Sequence, residues 1–315
     1  MAVGERDLDA ALAAVLGDGA AELRTSAAAL TGAYRSGTLP GEMLASPTAA
    51  RAYAAYRMPA TFAAVRAALR EAPGLAPRTV VDLGGGTGAA LWAAAATFPD
   101  LTTATVLDRS ADALALGRRL AEHAPLPATT WTESTLTPVP AADLVTVAYL
   151  LGELPEPARP ALVERAAAAA GAVAIVEPGT PAGHHRILQA RNTLLDKGFR
   201  VLAPCPHDLR CPWAEGPDWC HFAARLPRST LHRRVKGGTL GWEDEKFSYV
   251  VAVRGPAEPA GGRIVRHPSQ RKGLVQLTVC GTDPGVRPVL VSKRQGPDYK
   301  AARDAGWGDP WPPHP

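Results

Sequence analysis

Apolar residues recur every three to four positions in the first part of this chain. Leu8, Leu12, Val15 and Leu16 follow that spacing, and after a break containing Gly, Pro and Ser so do Tyr53, Tyr56, Phe62, Val65 and Leu69. The period puts each set on one face of a helix, so residues 1–72 are predicted to form a helical region. Prolines and a glycine over 73–77 stop that pattern. Short apolar runs then alternate with helical stretches. Strands are predicted over 79–83, 103–107, 144–149 and 173–176, with a short strand before Glu133, and helices over 89–97, 111–121, 157–170 and 184–196. Alternation of this kind predicts a parallel sheet covered on both faces. Two closing strands, 200–203 and 247–253, bracket a cysteine-rich insertion over 204–246. Beyond Pro256 three short runs, 263–265, 274–279 and 289–292, separated by Gly and Pro, predict a small β subdomain over 255–315. The α/β core is thus expected over 73–254.

The 315 residues are 46% hydrophobic, with a mean hydropathy of −0.05, enough to bury a full-size core. No window approaches the roughly 20 unbroken apolar residues of a membrane span. Acidic residues precede the first apolar stretch, unlike a secretory signal. A cytoplasmic, reducing location without membrane association is therefore expected, and disulfides are not. The net charge of +4 is unevenly spread: residues 221–315 carry 16 Lys/Arg against 8 Asp/Glu, the remainder 18 against 22. A basic tail on a mildly acidic body suits a polyanion such as nucleic acid.

The run Val80-Val81-Asp82-Leu83-Gly84-Gly85-Gly86-Thr87-Gly88 ends a predicted strand and opens a helix. It is neither a GxGxxG fingerprint nor a Walker loop, which would need Lys-Ser/Thr. It resembles motif I of class I S-adenosylmethionine (SAM)-dependent methyltransferases. The resemblance implies a Rossmann-like core, with Asp82 and the glycines Gly84, Gly86 and Gly88 beside the cofactor. It further implies Asp108 at the ribose and Glu133-Ser134 at the adenine. After the fourth strand, Ala148-Tyr149-Leu150-Leu151-Gly152-Glu153-Leu154 replaces the Asn/Asp-Pro-Pro-aromatic sequence that positions an amine acceptor. No catalytic residue is assigned.

Three of the four cysteines, Cys205, Cys211 and Cys220, fall in a sixteen-residue window, and fifty-nine residues separate Cys280 from the last of them. The gaps lack the close C-x₂₋₄-C pairs usual at zinc sites. Four thiolates suit either tetrahedral zinc or a cubane iron–sulfur cluster, and spacing alone does not choose. His207, His221 and His232 are possible alternative ligands or neighbours. Arg225, Arg228, Arg233, Arg234 and Lys236 could form a phosphate track, continued by Arg263, Arg266, Arg271, Lys272, Lys293 and Arg294.

Several motifs in order then become recognisable: Glu177-Pro178-Gly179-Thr180-Pro181, the cysteine group, Arg225-Leu226-Pro227-Arg228-Ser229, Lys236-Gly237-Gly238, Glu243 to Tyr249 and Trp307-Gly308-Asp309. From about residue 40 to Asp309 the chain resembles the methyltransferase-like family that assists assembly of the mitochondrial ribosomal small subunit, with its bacterial relatives. The resemblance implies a [4Fe-4S] cluster on Cys205, Cys211, Cys220 and Cys280, binding to small-subunit ribosomal RNA or a pre-ribosomal particle, and doubtful methyl transfer. A monomer is expected outside the particle.

Overall fold

The computed structural model describes residues 3–17, 23–26, 46–236, 240–283 and 285–313. Among the described N-terminal residues come α1 (Glu5–Leu16), a helical stretch at 23–26, α2 (Pro47–Tyr56) and α3 (Met58–Arg70). In α1 the predicted face Leu8, Leu12, Val15 and Leu16 is buried, and the Asp7 carboxylate accepts the Gly4 N–H at 2.7 Å to close the first turn. Then follow β1 (Thr79–Leu83), α4 (Ala89–Thr97), β2 (Thr103–Asp108), α5 (Ala111–Ala121), β3 (Ala128–Glu133) and β4 (Ala142–Ala148). After a 3₁₀ turn at Leu151–Glu153 come α6 (Ala158–Ala169), β5 (Ala170–Pro178), α7 (Pro181–Asp196) and β6 (Phe199–Ala203). The last elements of the large sheet are β7 (Phe222–Pro227), α8 (Thr230–Lys236) and β8 (Trp242–Arg254). A second sheet holds β9 (Gly262–Ile264), β10 (Ser269–Arg271), β11 (Leu274–Gly281) and β12 (Val286–Ser292), and α9 (Pro297–Asp304) packs on it.

The large sheet has the order β3-β2-β1-β4-β5-β8-β6, with β7 also on β8. Strands β1 to β5 pair in parallel, and β8 runs antiparallel to β5, β6 and β7. This is the Rossmann-like sheet of class I SAM-dependent methyltransferases. One face packs under α1 to α5, where Trp92 on the apolar α4 is fully buried. The other packs under α6 and α7. The small sheet keeps its own core of Ile264, Val275, Leu277, Val279 and Val291.

Two expectations are corrected. Strand β8 is longer than 247–253, because its polar front half, Trp242–Lys246, pairs with β7. The insertion over 204–246 is therefore not all outside the sheet: Phe222–Pro227 adds a strand and Thr230–Lys236 a helix. Phe247 pairs with Pro178 of β5 and with Phe222 of β7. Strands β6 and β7 thus lie end to end along one edge of β8, and residues 204–221 loop out at the break.

Candidate functional site

At the C-terminal end of β1 the chain turns through Gly84, Gly86 and Gly88 at φ of 66°, 53° and 86°, which glycine adopts without strain. The Gly84 N–H donates to Leu107 O at 2.7 Å, and the Gly86 N–H to Asp108 Oδ2 at 2.8 Å. The loop opens α4, whose N-cap Gly88 offers no side-chain cap; the Leu91 N–H faces Asp82, which leaves those of Ala89 and Ala90 for a ligand. Asp82 Oδ1 accepts the Thr146 hydroxyl at 2.8 Å, while its Oδ2 is buried without a hydrogen-bond partner. Burial pushes the Asp82 carboxyl up to about 7, against the pull of Thr146 and the Leu91 N–H, with the Asp108 charge adding to the rise.

Strand register sets Glu133 directly opposite Asp108. Glu133 is exposed, and the Ser134 N–H donates to Asp108 O at 2.9 Å. The residues read as cofactor-binding therefore gather at adjoining strand ends. Asp108 differs from the expectation in one respect: Oδ1 already accepts the Ser110 N–H at 2.8 Å, so both oxygens help close the loop and only their remaining lone pairs can meet a ribose. An orphaned carboxylate oxygen beside a glycine turn and open helical N–H groups fits the methionine end of SAM, which carries a cationic amine and an anionic carboxylate.

Across the crevice stands a network that the sequence did not reveal. Tyr149, at φ 58°, donates its hydroxyl to Glu245 Oε1 at 2.8 Å. Arg57 clamps the same carboxylate at 2.9 and 3.2 Å and lies 5.4 Å from the Tyr149 ring centroid. Burial pushes Tyr53 up to about 12, and burial together with the Asp108 charge pushes Glu153 up to about 7. Glu177, fully buried at the end of β5, accepts the Leu151 N–H at 2.9 Å and pairs with Arg186 Nε at 2.6 Å. A carboxylate ending the apolar run 173–176 was a readable signal. Arg57 and Glu245, 188 residues apart, gave none.

Cys205, Cys211, Cys220 and Cys280 line one cavity with His184, His207, Arg191 and Arg263. The free space is ≈ 30 Å³, more than the 10–15 Å³ that a single water needs. The three clustered thiols come from the break between β6 and β7. Cys280 comes from β11, between Arg263 of β9 and Val286 of β12. Its Sγ is 4.0 Å from His207 Nε2. Loss of solvent raises every thiol, Cys280 up to about 12 and Cys220 well above the usual range, and neighbouring thiolates raise Cys211, Cys220 and Cys280 further. The sulfurs are gathered but not contracted into a coordination sphere. Among the described residues no three His, Cys, Asp or Glu side chains stand close enough to hold a metal ion.

Two buried cations flank the cavity. Arg191 donates to His207 O and Leu209 O at 2.9 and 2.8 Å and draws down the Cys205 thiol against its burial. Arg263 donates to Gly308 O at 2.8 Å and Pro204 O at 3.3 Å and pairs with Glu71. Four thiolates around a zinc ion or a cubane leave a net double negative charge, which two guanidinium groups would offset. Donor set, space and charge balance fit a thiolate-bound centre without choosing between the two. His221 stacks on Trp219 at 5.2 Å and His232 lies 3.4 Å from Glu243.

The basic track is corrected more sharply. Arg225 sits opposite Asp244 in the β7–β8 register and pairs with it at 2.8 and 2.9 Å, while Arg228 pairs with Glu243 at 2.8 and 3.0 Å. Arg263 is buried, and Arg266 pairs with Asp218. Arg233, Arg234, Arg271 and Lys272 remain at the surface. The Lys236 side chain lies outside the described residues.

A family model described as "Mitochondrial small ribosomal subunit Rsm22" matches residues 47–312. The chain is 32% identical to the human "Ribosome assembly protein METTL17, mitochondrial" over 285 residues, 82% of this chain and 61% of that protein. It is 30% identical over 192 residues to the "Rsm22-cox11 tandem protein 2, mitochondrial" of Schizosaccharomyces pombe, 45% of this chain and 24% of that protein. The chain thus spans less than two thirds of these relatives. Among solved structures, magnesium protoporphyrin IX methyltransferase from Synechocystis with bound SAH overlays with a TM-score of 0.42 at 17% identity, covering 62% of this chain and 82% of that one. Human N-acetylserotonin methyltransferase with SAM gives 0.38 at 17%, covering 72% and 59%. The fold assignment rests on strand order, not on these scores. The cytoplasmic location expected from the sequence is overturned by the matches, since the family and both relatives are described as mitochondrial.

Proposed function

Because this chain belongs to the mitochondrial small ribosomal subunit Rsm22 family, we propose that it is an assembly factor of the small ribosomal subunit. In this reading it binds small-subunit ribosomal RNA or a pre-ribosomal particle, holds SAM in its glycine loop, and carries a [4Fe-4S] centre on Cys205, Cys211, Cys220 and Cys280. The chain divides into a helical region (1–72), a methyltransferase-like core (73–254) and a basic β subdomain (255–315), and it acts as a monomer outside the particle.

One observation carries the reading: all four cysteines, from two separate stretches of sequence, line one cavity between the two sheets. Burial and mutual repulsion oppose four thiolates there without a cation, so a cation-containing centre is the occupant that would let them ionise. Asp82, Gly84, Gly86, Gly88, Asp108, Glu133 and Ser134 would hold SAM, which supplies an electrophilic methyl group when bound. Tyr149, which follows β4, is held by Glu245 and Arg57, and no residue is assigned to activate a methyl acceptor. SAM is accordingly a structural or sensing ligand in this reading.

The test is the metal and sulfide content of anaerobically purified protein, with its visible spectrum and its affinity for small-subunit RNA. Wild type should carry about four iron and four sulfide per chain, and Cys280→Ser should lose them together with RNA affinity. Zinc without sulfide would remove the cluster. Methyl transfer to precursor RNA by wild type but not by Gly86→Asp would replace the assembly-factor reading with that of an enzyme.

A further inference from the structure

A second cavity, of ≈ 180 Å³, opens between α3, β7 and the start of α1. Its walls are Phe62, Ala63, Ala67 and Ala224, and its charged lining is Arg66, Arg70 and Arg225 against the one carboxylate Glu5. Arg225 is shared with Asp244, but Arg66 and Arg70 have no ion pair among the described residues. They sit one helical turn apart, where like charges repel. The Arg66 Nε is buried with no hydrogen-bond partner, and a buried unsatisfied donor costs about 1–3 kcal/mol. Two guanidinium groups without an ion pair, Arg66 lying 5.8 Å from the Phe62 ring centroid, therefore line a space several water volumes in size.

We propose that this cavity is a binding site for a phosphate group, with Arg66 as its inner donor and Arg70 at its mouth. Guanidinium N–H groups match phosphate oxygens in pairs, and an anion there would relieve the repulsion between Arg66 and Arg70. The outer rim suggests a phosphodiester within RNA over free phosphate. Arg225 reaches from the cavity to stack 3.8 Å from the centroid of Trp242, an indole 42% exposed, which offers a base a stacking partner beside the phosphate. The phosphodiester source rests on the RNA-binding reading above, and the oxyanion site does not.

Full-length wild type and Arg66→Gln are compared in two arms. One measures thermal stabilisation by inorganic phosphate. The other measures binding of a short single-stranded RNA by fluorescence anisotropy across salt concentrations. A phosphodiester site predicts RNA binding weakened about tenfold in the variant, a salt slope shallower by about one contact, and phosphate stabilisation lost. Loss of phosphate stabilisation with RNA binding unchanged supports the site with free phosphate as its ligand. Neither arm responding overturns the proposal. Arg70→Gln, at an exposed position, repeats both arms should Arg66→Gln fail to fold. Cluster loss in Cys280→Ser leaves the phosphate arm intact, so failure of this site and failure of the assembly reading are told apart.

Discussion

At Asp82 burial and hydrogen bonding pull in opposite directions, and burial wins. The carboxyl is held at about 7, whereas in an unfolded chain it titrates near 4. The native state therefore keeps a proton that the unfolded state releases. Its contribution to stability is complete below about pH 4 and is lost as the pH rises through about 7. Ligand-free wild type should become less stable to urea across that interval. Asp82→Asn should flatten the slope and be the more stable protein at about pH 8, and an unchanged slope would assign the titration elsewhere. In the SAM reading the same variant also loses cofactor affinity, measured by calorimetry. Asp82 was legible as a site residue because its motif is local. Its unpaired Oδ2 was not, because that depends on Thr146, sixty-four residues away, taking only the other oxygen.

Strand β8 shows the same contrast for an element. Its apolar half, Phe247 to Val253, was readable, since buried strands are near-continuous apolar runs. The half before it, Glu243-Asp244-Glu245-Lys246, has no apolar alternation, and it is a strand because Arg225 and Arg228 meet Asp244 and Glu243 across the β7 pairing. Glu245 instead takes Arg57 and Tyr149, tying the α2–α3 junction and the end of β4 to β8. Glu245→Gln should cost about 1–3 kcal/mol in urea unfolding and speed amide exchange in β7 and the front of β8 while β1 to β5 stay protected. Uniform exchange across the sheet would show that the network does not hold that edge.

Across the whole molecule, one buried cation bridges the two sheets. Arg263 is 2% exposed and reaches Glu71 after α3, Pro204 beside the cysteine loop and Gly308 of the C-terminal segment. Removing one partner of a buried pair strands the other groups, so Arg263→Met should cost about 3 kcal/mol. It should also make residues 255–261 more sensitive to protease, with the large sheet still folded. Equal resistance of wild type and variant would show that other contacts dock the small sheet. Sequence by itself determined the helical faces, the parallel α/β core, the glycine loop and the small sheet, because periodicity and turn chemistry are local properties of the chain. Tertiary structure alone decided which charges are spent on one another, Arg225 with Asp244 and Arg263 with Glu71, and which remain for a ligand, Arg66 with Arg70. It also decided that the fourth cysteine lines the same cavity as the other three. Coulombic and coordination partners are chosen by distance in space, and spacing along the chain does not encode that distance.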